Sequence, residues 1–95
     1  MHVVSRKKIR EFCMQHRQAE APLDHWYRIA KRARWSGFAE LRADFGAADF
    51  VAPFVVFNVA GNRYRLIAEV VFERRKVFIR HILTHAEYDR KGWVR

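Results

Sequence analysis

Apolar positions along this chain change their period near residue 50. In the first half they recur every three or four residues, as on one face of a helix, whereas in the second half they form short β-rich runs. His2 to Val4 reads as a short strand. Ser5 stands where a helix N-cap belongs, and Ile9, Phe12, Cys13 and His16 follow at helical spacing. Arg6, Lys7 and Lys8 fill the first turn, where cations oppose the helix dipole by roughly a few tenths of a kcal/mol each. Pro22 is expected to break the chain. Asp24 is expected to cap a second helix with Trp26, Ile29, Ala30 and Ala33 on one stripe. Arg28, Lys31, Arg32 and Arg34 fall largely off that stripe. Ser36 is expected to open a shorter helix with Phe38, Leu41 and Phe45.

Phe54 to Val59 (FVVFNV) is the first strong strand signal. Ala60-Gly61-Asn62-Arg63 follows, with Gly-Asn as the central pair of a tight hairpin turn. Tyr64 to Phe72 is the next strand, Glu73 to Lys76 a charged turn, and Val77 to Leu83 the third strand. Thr84-His85-Ala86-Glu87 is a capping box, with Thr at the N-cap and Glu three residues on. It starts a short helix carrying His85, Tyr88, Asp89 and Lys91. The fold class is therefore α+β: N-terminal helices packed on a small antiparallel meander, a short C-terminal helix, and a first strand that is free to join the sheet.

Length and composition narrow the picture. Ninety-five residues make one domain, 1–95, and 51% hydrophobic with 15% aromatic content is enough to fold without staples. A single cysteine, Cys13, excludes an internal disulfide and a cysteine-based zinc cage, and reads as a small core residue. The longest apolar stretch, Val51 to Ala60, contains Pro53 and Asn58 and is far short of the ~20 residues that a membrane helix needs. No signal peptide is visible, and a soluble, cytoplasmic protein is expected.

Charge points to a partner. Lys and Arg number 19 against 10 Asp and Glu, a net charge of +9. Arg outnumbers Lys fourteen to five, and the guanidinium adds a planar fork that grips phosphate. Residues 1–35 carry +6, residues 36–60 carry −2 and residues 61–95 carry +5. A polyanion is the first partner to consider.

Chemistry concentrates near the C-terminus. No phosphate loop, dinucleotide fingerprint or nucleophile elbow is present. His81 and His85 are four apart, but a strand end falls between them, so no metal site is expected, nor a cofactor. Arg65 and Arg80 lie inside adjacent antiparallel strands, an uncommon place for arginine. If the pairing centres on the Glu73 to Lys76 turn, the two fall near each other, and an anion between them relieves their repulsion. The competing reading, of equal weight, has them snorkelling or pairing with Glu69 and Glu73. His85 and Tyr88 share one helix face. They are read either as proton-transfer groups or as a solvated helix start and a ring packed on the sheet.

Together these four residues suit RNA cleavage by the RNA's own 2′-OH. Arg65 and Arg80 would stabilise charge on phosphorus, and His85 and Tyr88 would move protons. Arg63, Arg74, Arg75, Lys76, Arg90 and Lys91 are the cations expected to hold the RNA backbone. Trp26, Trp35, Tyr27 and Phe38 are expected in the core or in helix packing rather than as base-stacking platforms. Asn58, in a mostly apolar strand, is expected to need a hydrogen-bond partner. Trp93, in a basic tail with Arg95, is left open between stacking on RNA and covering the sheet.

The segment FNVAGNRYRLIAEVVFERRKVFIRHILTHAEYD, Phe57 to Asp89, resembles the HigB-type toxins of bacterial toxin–antitoxin pairs. Its blocks FNVAGNRYRLIA and THAEYD carry the resemblance, which weakens toward the N-terminus. The resemblance implies a RelE-like fold and an mRNA endonuclease (interferase) acting on messenger in the ribosomal A site. It also implies a HigA-type antitoxin with a helix-turn-helix, through which alone operator DNA is engaged. By position, Arg65 looks like the strand arginine of such sites. Arg80 resembles the second arginine only in neighbourhood. His85 and Tyr88 stand where such toxins keep catalytic His or Tyr. RelE itself uses lysines on the strand before the hairpin, and Phe54 to Val59 has none. A non-catalytic basic RNA-binding module is the alternative, and a structural subunit for an acidic protein a third possibility. The basic stretch Arg28 to Arg34 is an expected docking ground for the antitoxin.

Overall fold

A computed structural model describes residues 1–93 of the chain. Its elements are β1 (His2–Val4), α1 (Arg6–Gln15), α2 (Glu20–Arg32), α3 (Phe38–Asp44), β2 (Asp49–Val51), β3 (Phe54–Val59), β4 (Tyr64–Val71), β5 (Lys76–Thr84) and α4 (His85–Asp89). Short 3-10 turns occupy Arg17–Ala19 and Phe72–Arg74. The sheet order is β1-β5-β4-β3-β2. Strands β2 to β5 form an antiparallel meander, and β1 joins its edge parallel to β5, with His2 opposite Lys76. This is the expected α+β, RelE-like architecture. Among the described residues no helix is long and apolar enough to cross a membrane.

Several boundaries depart from expectation for physical reasons. Pro22 does not break the chain; it sits in the first turn of α2. First-turn N–H groups have no intrahelical partner, so a residue without one costs nothing there. Asp24 consequently lies inside the helix and pairs with Arg28 at 2.9 Å instead of capping. Ser5 occupies the N-cap of α1, but its side chain makes no capping bond. Ser36 precedes the actual N-cap, Gly37, and its hydroxyl donates to Glu40 at 2.6 Å. Strand β2, three residues long, carries no signal of its own; its register opposite β3, Phe50 against Val55, defines it.

Alternation divides β3 and β4 between two faces. Val55, Phe57, Val59, Tyr64, Leu66 and Ala68 face the helices and join one core with Leu23, Trp26, Trp35 and Leu41. Phe54, Val56 and Ile67 face the other way and are covered by Trp93. Both faces of β3 are thus largely apolar, and the strand reads as a nearly continuous hydrophobic run. Phe57, with no exposed surface, sits at the centre, its ring edge-on to Trp26 at 5.3 Å and to Phe45 at 5.1 Å. Trp35 anchors α3 by donating from Nε1 to Asp44 at 2.8 Å. Trp26 and Trp35 are therefore core residues, as Cys13 is, while Tyr27 and Phe38 pack against the core's margin.

Phe57→Ala should remove the element on which helix and sheet layers converge. The expected loss is about 3–5 kcal/mol of unfolding free energy, measured by urea denaturation. A loss under ~1 kcal/mol would show that the layers do not meet at this ring.

Candidate active site

The turn after β3 begins the site. Ala60 and Gly61 adopt left-handed backbone, and the Arg63 N–H donates to the Ala60 carbonyl at 3.3 Å, bracketing Gly61-Asn62 as expected. Gly61 takes this conformation without the steric penalty a Cβ brings. Strand β4 then places Arg65 on the sheet face opposite the helices, across from Asn58 and Leu83. Asn58 is exposed and needs no protein partner, contrary to the sequence expectation.

Arg65 is only 8% exposed, the one charged side chain that is buried among the described residues. Its Nη1 donates to the Asn62 carbonyl at 3.1 Å and to the Tyr64 carbonyl at 3.3 Å. Its Nη2 donates to Asn62 Oδ1 at 3.2 Å and lies 3.5 Å from His85 Nδ1. Four of its five N–H donors are thereby directed at protein atoms. A guanidinium in this state does not fork a phosphate; it supplies fixed positive charge and holds its neighbours in place.

The capping box delivers the other two groups. Thr84 Oγ1 accepts from the Glu87 N–H at 3.2 Å, and Glu87 Oε1 accepts from the Thr84 N–H at 2.8 Å. That second bond is the main reason the Glu87 carboxyl titrates below its ordinary value of 4.5. The His85 N–H donates to the Arg63 carbonyl at 2.9 Å, which locks α4 to the β3–β4 turn. A guanidinium only donates, so its contact with Nδ1 marks that nitrogen as the acceptor and leaves Nε2 to donate to Asp89 Oδ2, 3.2 Å away. The Tyr88 ring lies 5.2 Å from the Arg65 guanidinium and stacks on Trp93 at 5.0 Å. Trp93 Nε1 also donates to the Tyr88 carbonyl at 3.0 Å. Trp93 thus covers the sheet; its partner in the basic tail, Arg95, lies outside the described residues.

Three of the four singled-out residues, Arg65, His85 and Tyr88, meet at one corner. Arg80 does not join them. Arg65 faces Leu83, not Arg80: the register set at the turn, Val71 against Lys76, already puts Arg65 beyond Arg80, and a bulge between the pairs Ile67–His81 and Ala68–Ile79 moves its partner one residue further. Arg80 falls at that bulge, three residues along, and its Nε binds Glu69 Oε1 at 2.7 Å. His81 sits beside it with its pKa lowered by partial burial and by Lys8 and Arg80. His81 and His85 belong to different elements. The remaining cations separate into two groups. Arg63, Arg90 and Lys91 adjoin the corner in sequence and are exposed. Arg74, Arg75 and Lys76 lie at the far end of β4, roughly 20–25 Å away along the strand. Sequence reasoning missed Asn62 as the residue that seats Arg65; its place in the tight turn was the available signal.

Two helices over one face of an antiparallel meander, with an Arg, a His and a Tyr gathered where the last strand meets a capped helix, define a small RelE-like domain. Comparison with known proteins agrees. Residues 19–91 match the profile of HigB_toxin, described as the RelE-like toxic component of a toxin-antitoxin system. A curated relative from Escherichia coli O6:H1, "mRNA interferase HigB", is 31% identical over 93 residues, covering 95% of this chain and 90% of its own. The "mRNA interferase toxin HigB" of E. coli K12 is 30% identical over 92 residues, covering 94% and 88%, and a Shigella flexneri "mRNA interferase HigB" matches equally. The chain belongs to the HigB toxin family.

Thr84→Ala should cost α4 about 1 kcal/mol. Hydrogen exchange at the Glu87 amide should rise roughly fivefold, and an unchanged rate would show that the box does not hold the helix. Because the Glu87 carboxyl is lowered in the folded state, its contribution is complete above pH 4.5 and fades as pH falls through the lowered value. Amide protection in α4 should decline there in the wild type and show less pH dependence in Glu87→Gln.

Proposed function

We propose that this HigB-family toxin is an endoribonuclease that cuts messenger RNA on the ribosome, using the RNA's 2′-OH as nucleophile, and that a HigA-type antitoxin with a helix-turn-helix restrains it in the cytoplasm. The observation that carries the reading is the meeting of Arg65, His85 and Tyr88 at one corner of the molecule. The names of the curated relatives support it.

The chemistry needs three things. A base takes the 2′-OH proton as O2′ bonds to phosphorus. The P–O5′ bond breaks, and an acid gives O5′ a proton, leaving a 2′,3′-cyclic phosphate and a 5′-OH. Charge that builds on the phosphoryl oxygens must be stabilised meanwhile. His85 and Tyr88 take the two proton transfers. The Tyr88 ring is engaged by Arg65 and Trp93, so the residue acts by its oxygen and not as a stacking surface. Arg65 supplies charge from a nearly buried position, where screening by water is weak. Arg63, Arg90 and Lys91 grip the backbone near the cut. Arg74, Arg75 and Lys76, at the sheet's other end, hold RNA several nucleotides away. Arg80, neutralised by Glu69, contributes less than Arg65.

Mapping RNA ends after brief induction tests the reading. Wild type should arrest growth and leave cut messages. His85→Ala and Tyr88→Phe should lose at least ~10²-fold in cleavage while folding normally, and Arg65→Ala should lose as much. Arg80→Ala should lose less than tenfold. Full toxicity in the first three variants would place the chemistry elsewhere. A non-catalytic RNA binder would instead arrest growth without cuts, survive His85→Ala, and lose affinity steeply with salt.

A further inference from the structure

The helical layer carries a feature that the RNA reading does not use. Between α1 and α2 lies a cleft of about 780 Å³. Arg6, Ile9, Arg10, Cys13 and Met14 line one side at spacings of three and four, so a single face of α1 is turned toward it. Ile9 and Cys13 are buried at its base. Met14 stands at the lip, 78% exposed, the most exposed large hydrophobic side chain among the described residues. Arg17, beyond the end of α1, extends the row of arginines, and Glu20 and Asp24 of α2 face them. Asp24 is already paired with Arg28; no such ion pair engages Glu20 among the described residues.

We propose that this cleft is the docking site of an amphipathic, acidic helix of the antitoxin that neutralises this toxin. The proposal rests on membership in a toxin–antitoxin family and not on the ribonuclease reading. Three occupants compete, and the charges decide among them. A polynucleotide would bring phosphates against Glu20 and Asp24. A second copy of this chain would bring another +9 against a wall of arginines. A helix that carries carboxylates on one flank of its apolar stripe and a basic residue on the other satisfies both walls, as a polynucleotide without cations cannot: its stripe covers Met14 and the apolar base, its carboxylates meet Arg6, Arg10 and Arg17, and its cation meets Glu20. Methionine suits the lip, since its unbranched thioether adapts to a partner's surface. The site also lies on the opposite side of the sheet from Tyr88 and Trp93, so an antitoxin seated here leaves the Arg65 corner uncovered by this contact. Arg28 to Arg34, the docking ground suggested by composition, lies outside the lining of this cleft.

The test co-expresses full-length toxin with its cognate antitoxin and measures both growth rescue and copurification. Met14→Asp combined with Arg10→Glu should weaken the complex at least about 30-fold, as loss of an interface anchor does, and growth should no longer be rescued. The variant alone should arrest growth as wild type does, which also reports that it folds. Rescue and copurification at the wild-type level would overturn the proposal, as would loss of toxicity with antitoxin binding intact, an outcome that assigns the cleft to RNA. Should the double variant fail to fold, Arg17→Glu, outside α1, decides by copurification alone: a weakened complex supports the proposal and an unchanged one rejects it. Copurification does not depend on catalysis, so failure of the ribonuclease reading leaves this result interpretable.

Discussion

A single nearly buried guanidinium ties the turn after β3, strand β4 and helix α4 together at one corner of the molecule. Burying a charge costs several kcal/mol unless hydrogen bonds replace the lost water. Arg65 meets that condition with the Asn62 and Tyr64 carbonyls, the Asn62 side chain and a contact to His85. Each partner comes from a different constraint. Asn62 is held by the turn, Tyr64 by the ladder, and His85 by a helix whose first N–H is bonded to Arg63. The hairpin turn, β4 and α4 therefore cannot shift independently without stranding a charge. The site is rigid for electrostatic reasons as much as for packing.

The two faces of the sheet hold this arrangement differently. On one, helices bury aromatic rings against Phe57 and make the main core. On the other, a small cluster built from Phe54, Val56, Ile67 and Trp93 leaves room for polar groups at its margin. Tyr88 belongs to both worlds. Its ring packs on Trp93, and its edge of the cluster borders the arginine. Such a ring, apolar in body and polar at its tip, extends the hydrophobic cover to the edge of the arginine corner. The bulge in β5 adds one residue to the strand at Arg80, whose side chain is taken up by Glu69 outside the corner.

Charge is divided in the same way. Cations flank the Arg65 corner, others gather at the far end of β4, and a third row lines the cleft between α1 and α2. A uniform +9 would attract any polyanion. Carboxylates placed beside this charge, Glu69 paired with Arg80 on the sheet and Glu20 and Asp24 facing the arginines of the cleft, give these surfaces different charge patterns. Family membership adds a further demand, because the toxin of such a pair is restrained by another protein.

Local interactions made much of this legible in the sequence. The capping box at Thr84, the β-rich runs of β3 and β4, the Gly61-Asn62 turn and the helical stripes depend on neighbours a few residues away, and all stand where the pattern put them. The meeting of Arg65 with His85 and Tyr88 was legible for the same reason: short connections at both ends of β4 leave α4 close to the turn. What needed the tertiary structure was long-range. Pro22 is accommodated because α2 begins earlier, β2 exists because β3 offers it an edge, and Trp93 covers the sheet because Phe54 and Tyr88 await it. Arg80 stands away from the corner because the register of β5 on β4 pairs Arg65 with Leu83, a pairing that no local preference announces. Sequence alone set the main helices and strands, β2 excepted, and what charge they carry; register and burial decided which charges meet. Hydrogen bonds within a turn are dictated by adjacent residues, while the pairing of distant strands is fixed only when the whole core closes.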